Sequence, residues 1–140
     1  MKSEDIISLV SRIREFANTF ITDEMNKYGV EGLAVSHGDI IFSLLNNEKL
    51  TMKEIAEKIE KDKSTVTALV NKLIKQGYIE KTKDILDNRV VFVTLTEKGK
   101  SLEPMFNKIS EELISKVYEG ISENEKEELL KTLIKIKNNF

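Results

Sequence analysis

Hydroxyl, amide and ammonium side chains recur at helical spacing between Lys63 and Lys75. Hydroxyls and amides donate and accept hydrogen bonds, and an ammonium group pairs with phosphate, so these side chains suit the base edges and phosphates of a DNA major groove. The alternative is that they are ordinary first-turn residues and solubilising lysines of a surface helix. The candidate contact residues are Lys63, Ser64, Thr65, Thr67, Ala68, Asn71, Lys72 and Lys75.

A second group of polar side chains lies on a predicted β-hairpin. Residues 78–83 and 90–95 are β-rich runs, and a polar-tipped loop separates them. Arg89, one of three arginines in the chain, stands where the loop rejoins the second run. A guanidinium on a projecting loop can enter a narrow minor groove, and Lys81 and Lys83 would add backbone contacts. For Arg89 the alternative is a surface pair with Asp87.

Composition excludes several other kinds of chemistry. The absence of cysteine excludes a disulfide framework, a thiolate nucleophile and a cysteine zinc site. The single histidine, His37, leaves no histidine pair for a metal and one candidate for a catalytic base. The acid pair Asp84 and Asp87 is the enzymatic alternative, but exposed acids on a turn are more often solvated caps. We therefore expect no enzyme activity, metal or cofactor.

Charge is distributed unevenly along the chain. The formal net charge is -2, yet residues 49–100 hold 12 Lys and Arg against 8 Asp and Glu, which leaves 10 against 16 elsewhere. Phosphate contact depends on local charge, so the basic middle keeps a nucleic-acid partner possible. No apolar run approaches the roughly 18 to 20 residues of a spanning helix. We expect a soluble cytoplasmic protein without a membrane partner.

The elements that must position these side chains begin with a long helix. Residues 5–27 carry apolar side chains at the 3.6-residue period of an amphipathic helix. Residues 28–35 contain two glycines and predict a connector. Ser36 and Asp39 then have capping-box spacing, which predicts the start of a second, mostly buried helix.

Two further helices follow in close succession. Thr51 and Glu54 repeat the capping-box spacing ahead of a short helix that should end near Ile59. Asp62 can cap the next helix, which should end at Gly77 because glycine adopts the left-handed C-terminal cap most readily. Its inward apolar residues are Val66, Leu69, Val70 and Leu73.

The C-terminal third of the chain predicts more helix. Thr96 begins a helix that runs to about Gly120, with Pro104 expected either to bend it or to mark its true first turn. Ser122 and Glu125 form a third capping box and open the last helix. No repeat or low-complexity segment is present.

A short helix, a turn, a second helix and a hairpin form, in that order, the layout of a winged helix-turn-helix. We expect a mainly α fold in which residues 34–99 form a winged helix-turn-helix DNA-binding lobe with a small β-hairpin wing. Long terminal helices, at 1–30 and 100–140, would join this lobe in one compact unit. Their apolar stripes need a partner, and the partner is either the same chain or a second copy. The candidate dimerisation residues are Ile6, Val10, Ile13, Phe16, Phe20, Leu113, Val117, Leu129, Leu133 and Ile136.

An ordered set of motifs resembles the MarR family of transcriptional regulators. The set is S-T-V-T-x-L-V from Ser64, D-x-R from Asp87 and L-T-x-x-G from Leu95, and the resemblance extends over essentially the whole chain. Two positions depart from the family pattern. Many members have glycine and an apolar residue where this chain has Glu60 and Lys61, and many have two consecutive arginines where this chain has Asn88 and Arg89.

The resemblance implies a homodimeric bacterial or archaeal transcriptional regulator, and we expect a repressor. A two-fold dimer would bind two half-sites of a pseudo-palindromic duplex. The helix from Lys63 would enter the major groove, and the wing, with Asn88 and Arg89, the minor groove. The resemblance also implies a cleft for a small aromatic or phenolic effector. The candidate lining residues are Arg12, Arg14, Phe16, Tyr28 and His37. The alternative function is a protein-docking module, because winged helices also serve that purpose and the chain is acidic.

Overall fold

The computed structural model describes residues 1–140 as seven α-helices and a small antiparallel sheet. This architecture confirms the expected fold class. The 3-10 turn Ser3–Asp5 precedes the first helix. The elements are α1 (Ile6–Lys27), α2 (Val35–Leu45), β1 (Leu50–Thr51), α3 (Met52–Ile59), α4 (Lys63–Lys75), β2 (Ile79–Lys83), β3 (Val91–Leu95), α5 (Glu97–Lys100), α6 (Glu103–Val117) and α7 (Glu123–Asn138).

Two of the three predicted capping boxes are present. The Glu54 N–H donates to Thr51 Oγ1 at 3.1 Å, and the Thr51 N–H donates to Glu54 Oε1 at 3.0 Å, which fixes the start of α3. Ser122 and Glu125 exchange the same pair of bonds at the start of α7. Each box satisfies two N–H groups that a helix N-terminus would otherwise leave without partners.

The predicted start of α2 is wrong by two residues. The helix begins at Val35, and the Ala34 N–H donates to Nδ1 of His37 at 2.9 Å. His37 therefore occupies the third helical position of the capping box, the role predicted for Asp39. A neutral imidazole can accept this bond through an unprotonated nitrogen, so histidine substitutes for the usual Glu or Gln of a capping box.

A third strand was not predicted from the sequence. Strand β1 is only two residues long and pairs with β3 through Leu50 opposite Val93 and Thr51 opposite Phe92. Strand β3 lies in the centre of the sheet and pairs with β2 along its whole length. The short edge strand ties the start of α3 to the base of the hairpin.

The L-T-x-x-G motif closes the winged lobe. Leu95 is buried, and the Thr96 hydroxyl donates to the Gly77 carbonyl at 2.6 Å and accepts from the Gly99 N–H at 3.1 Å. A separate short helix, α5, follows, and Pro104 lies in the first turn of α6. Of the two alternatives for Pro104, the structure has the first-turn position, where a missing N–H costs nothing.

One apolar cluster connects the winged lobe to the terminal helices. Its 18 residues include Met25 from α1 and Phe106 from α6 as well as Ile40, Ile55 and Val93 from the lobe. No helix has both the length and the apolar character needed to cross a membrane.

Candidate nucleic-acid interface

The N-terminus of α4 is fixed by Asp62. One carboxylate oxygen accepts from the Thr65 N–H at 2.7 Å and from the Ser64 hydroxyl at 3.0 Å. The hydrogen bonds from Thr65, and then that from Ser64, hold the pKa of Asp62 below its ordinary value, so the cap is charged. The first turn of α4, where contact with base edges is expected, is thereby held in one conformation.

Helix α4 has the two faces that the sequence predicts. Val66, Val70 and Leu73 are buried, and Leu69 is only partly buried at the edge of the stripe. The spacing i, i+4, i+7, i+11 brings four residues onto the opposite face. All four are exposed: Ser64, Ala68, Asn71 and Lys75. Alanine between polar residues leaves the backbone room to approach another surface closely.

Besides Ser64, two further residues of α4 that are expected on the contact surface have partners within the chain. The Thr67 hydroxyl donates to the Lys63 carbonyl one turn earlier, at 2.9 Å. The Lys72 ammonium donates to the Gly32 carbonyl in the connector between α1 and α2. This bond links α4 to the connector in the free chain, so Lys72 has less freedom to reach phosphate than Lys75, which has no such partner.

The turn between α3 and α4 has an unusual conformation at Glu60. Its φ is 57° and its ψ is 46°, in the left-handed region, and it is the one residue other than glycine with a positive φ. The N–H groups of Glu60 and Lys61 both donate to the Ala56 carbonyl, which closes α3. The left-handed region is costly for a residue with a Cβ. Glu60 therefore strains the backbone of this turn, whereas glycine at the same position would not.

Replacing Glu60 with glycine is expected to raise the free energy of unfolding by about 1 kcal/mol and the melting temperature by about 3 °C. Calorimetry or urea denaturation measures both. The matched control is Glu57→Gly, because Glu57 is exposed inside α3. There glycine should destabilise by about 1 kcal/mol. The same sign for the two variants would contradict the strained turn.

The wing is a hairpin with a closed tip. The Asp84 N–H donates to the Val90 carbonyl at 2.9 Å, and the Val90 N–H donates to the Asp87 carbonyl at 3.0 Å. Arg89 Nε and Nη2 lie 3.1 and 3.2 Å from the two oxygens of Asp87. In the free chain Arg89 therefore forms the surface pair with Asp87 that was the alternative to a contact with DNA. Asn88 beside it is exposed.

Four lysines keep their charge unpaired around this surface. The chain forms six ion pairs, and none of them uses the lysines on α4 or β2. All four are exposed: Lys63, Lys75, Lys81 and Lys83. An unpaired ammonium can approach phosphate without first breaking a salt bridge.

The candidate effector residues are not brought together. Four of them are exposed along α1 and at its end: Arg12, Arg14, Phe16 and Tyr28. The fifth, His37, is buried, and its Nδ1 already accepts the Ala34 N–H. An apolar cavity of about 190 Å³ lies instead where α1, α2 and α6 meet, lined by Phe42, Phe106 and Ile109 among others. Asp39 is its one charged lining residue. Partial burial raises the pKa of Asp39, although the residue stays in contact with solvent and Arg14 and Lys61 oppose the shift.

His37 makes stability depend on pH. Burial, and then the nearby Lys72 ammonium, lower the pKa of His37 from its ordinary 6.5. The neutral form is the one that accepts the Ala34 N–H. A group with a depressed pKa contributes stability that is present above its unfolded pKa and is lost as the pH falls through the folded one.

We expect the free energy of unfolding to fall as the pH falls through the ordinary histidine pKa of 6.5 towards the lower pKa of the folded state, and no other histidine contributes to this change. Urea denaturation at closely spaced pH values measures the slope. The control is His37→Asn, which keeps an acceptor at the helix start but has no titratable group. An equal slope in this variant would show that His37 is not the source.

The terminal helices leave apolar stripes exposed. Ile6, Val10, Ile13 and Phe16 on α1 are exposed, with Phe16 at 67%. Val117, Leu129 and Leu133 on α6 and α7 are exposed too, and α7 has no buried residue. Of the other candidates for dimerisation, Phe20 packs against the core of its own chain, and Leu113 and Ile136 are partly buried.

Sequence comparison gives the class of protein to which this fold belongs. A profile of the MarR family matches residues 31–89. A relative in Staphylococcus haemolyticus, the HTH-type transcriptional regulator SarZ, is 33% identical over 102 residues, which cover 72% of this chain and 68% of the relative. SarZ of Staphylococcus epidermidis is 29% identical over 112 residues, 80% of this chain and 72% of the relative.

Solved structures share the fold. A MarR transcriptional regulator from Methanosarcina mazei Go1 superposes with a TM-score of 0.81 at 24% identity, covering 98% of this chain and 96% of the other. A mutant MarR from E. coli complexed with operator DNA has a TM-score of 0.81 at 17% identity, covering 97% and 99%.

The chain belongs to the MarR family of winged-helix transcriptional regulators. The expectation that it is not an enzyme is confirmed by this membership, because the family and the SarZ relatives are regulators of transcription.

Proposed function

We propose that this chain binds duplex DNA as a homodimer, with α4 in the major groove and the wing in the minor groove. The observation that carries the proposal is the exposed stripe Ser64, Ala68, Asn71 and Lys75, which lies opposite a buried stripe on a helix with a fixed first turn. Ser64 and Asn71 supply hydrogen-bonding groups for base edges, and Ala68 allows close approach. Lys63 and Lys75 supply charge for phosphates.

The hairpin supplies a second contact beside this helix. Asp87 orients the Arg89 guanidinium through Nε and Nη2, and Nη1 has no partner in the chain. An oriented guanidinium with a remaining donor fits the acceptors of an A·T-rich minor groove. A mutant MarR from E. coli that shares this fold was solved in complex with operator DNA, which supports DNA as the partner.

The exposed stripes of α1, α6 and α7 support dimerisation. A surface apolar face of this length is costly in water, and a second copy offers an identical face. A two-fold dimer would place the two α4 helices about 34 to 36 Å apart, in successive major grooves of a pseudo-palindrome. Bound at a promoter, such a dimer would exclude the polymerase, and repression is the mode we propose.

Fluorescence anisotropy tests DNA binding. The probe is a duplex selected by the protein from a pool of randomised 30-mers, and the reference is the same duplex with its sequence scrambled. We expect affinity for the selected duplex to be about 1,000-fold higher or more. Equal affinity for the two duplexes would contradict sequence-specific binding. Absence of binding even at low salt, with a protein partner that binds α4, would favour the docking-module alternative.

Salt dependence distinguishes Lys75 from Lys72 on α4. Lys75→Ala should reduce the slope of log affinity against log salt by about one unit, because one phosphate contact is lost. Lys72→Ala is the matched control on the same helix. Its ammonium is bonded to the Gly32 carbonyl, so the slope should stay unchanged.

We also propose that a small aromatic effector occupies the cavity between α1, α2 and α6. The Asp39 carboxyl in its wall favours a phenol, whose hydroxyl can donate to it, and disfavours an aromatic acid, whose carboxylate would face it. Isothermal titration should give heat with a phenol and none with benzoate, and the phenol should weaken DNA binding. Heat with benzoate alone would contradict this assignment.

A further inference from the structure

The tip of the wing carries two apolar side chains that the fold does not use. Ile85 and Leu86 are adjacent, with 95% and 94% of their surface exposed. Neither belongs to the core cluster or to the partly buried residues packed against it. Most other exposed large apolar residues of the chain lie on helices, whereas these two stand in a loop. They pack against nothing in the chain and are therefore free to contact another molecule.

The hairpin holds this pair away from the body of the protein. In β2 only Ile79 is buried, and β1 pairs with β3 no further than Phe92. Beyond that point a single strand pair, Lys83 opposite Val91, continues the hairpin, and the bond from the Asp84 N–H to the Val90 carbonyl closes its end. Ile85 and Leu86 follow this closure directly. They therefore stand at the tip of a short hairpin end whose base is fixed by the third strand.

The charges around the tip include two lysines that are free to contact phosphate. The hydrogen bonds from Arg89 hold the pKa of Asp87 below its ordinary value, so this acid stays charged and paired with the guanidinium. Lys81 and Lys83, on the strand that leads to the tip, are exposed and have no ionic partner. Glu80 on the same strand and Asp84 before Ile85 are acidic and form no ion pair, so the apolar tip is flanked by two free cations and two free acids.

We propose that Ile85 and Leu86 form an apolar wedge that enters the minor groove and partly unstacks one base step beside the region contacted by α4. The minor groove is about 6 Å wide and 7.5 Å deep, which admits a loop tip but not a helix. Apolar side chains inserted between base pairs kink the duplex, and pyrimidine–purine steps unstack most easily. Lys81 and Lys83 would then contact phosphates beside the groove. This inference rests on the proposed DNA binding and adds a source of specificity that needs no hydrogen bond to a base.

The test uses 2-aminopurine, whose fluorescence rises when it is unstacked. The fluorophore is placed at successive steps on each flank of the selected duplex, and the protein contains no tryptophan that would interfere. With the unsubstituted protein we expect a rise at one step per flank. The variant Ile85→Ala/Leu86→Ala should lose this rise and bind about tenfold weaker or more. Because both side chains are exposed, the variant should fold and melt as the unsubstituted protein does.

A second variant distinguishes insertion of apolar side chains from simple attraction between the tip and phosphate. Ile85→Lys/Leu86→Lys adds two cations, so its affinity at low salt should not fall, yet the fluorescence rise should still be lost. An unchanged rise in either variant, or no rise with the unsubstituted protein while anisotropy shows binding, would overturn the wedge alone. Absence of binding by the unsubstituted protein would overturn both the wedge and the proposed function. If the alanine variant instead changes self-association in sedimentation and leaves the fluorescence unaltered, the tip is a contact between copies and the wedge is wrong.

Discussion

Replacing Leu129 and Leu133 with aspartate is expected to leave the chain monomeric and to lower its affinity for the selected duplex about 100-fold or more. Both side chains are exposed on α7 and lie on one face of the helix, four residues apart. A carboxylate buried in an apolar contact without a partner is strongly unfavourable, so the two copies should separate. Each copy would then bind its half-site without the gain in effective concentration that a tethered second copy provides.

Sedimentation equilibrium and anisotropy measure the two effects together. The control is Lys131→Asp, which adds a carboxylate to the opposite, polar face of the same helix. This control should remain dimeric and bind DNA nearly as the unsubstituted chain does. A Leu129→Asp/Leu133→Asp variant that stays dimeric would show that α7 is not the dimer contact. A monomeric variant with full DNA affinity would show that the dimer is not needed.

Gly99→Ala is expected to destabilise the fold by about 3 kcal/mol or more. A Cβ at this position would lie 2.2 Å from the Tyr78 carbonyl oxygen and 2.8 Å from a Leu95 methyl carbon. The carbonyl cannot move away cheaply, because it already accepts the Thr96 N–H at 3.1 Å. Accommodating the methyl group therefore requires α5 to separate from the end of α4 and the base of the sheet.

Urea denaturation gives the size of this effect. The matched control is Gly120→Ala, where a Cβ meets nothing within 4 Å and only the positive φ of 76° opposes it. That variant should lose about 1 kcal/mol. A Gly99→Ala loss no larger than the control would show that the close approach to Tyr78 is not a constraint.

Local sequence rules predicted most of the elements. The caps at Thr51, Asp62, Thr96 and Ser122 are short-range hydrogen bonds between residues three apart, so a pattern of residue types is enough to find them. The two faces of α4 follow from its period for the same reason. The start of α2 was misplaced because histidine is an uncommon partner in a capping box, and Ser36 with Asp39 offered the commoner pattern.

The parts of the site that escaped prediction depend on contacts between distant residues. The bond from Lys72 to Gly32 joins positions 40 apart in the chain, and nothing in the local pattern separates Lys72 from Lys75. Likewise β1 is too short to show a strand period, and it exists because β3 lies beside it. The cavity beside Asp39 requires three helices to meet. Ile85 and Leu86 were visible in the sequence, but only the structure shows that neither packs inward.

Methylation protection of guanine N7, which lies in the major groove, tests most directly whether two copies of α4 dock there. On the selected duplex we expect two protected clusters on one face, about 10 base pairs apart from centre to centre. Replacing Ala68 with glutamate on the exposed face of α4 should abolish both clusters together, because the added carboxylate repels phosphate and blocks close approach. Bound protein that leaves every N7 reactive, or that protects a single cluster, would contradict the account.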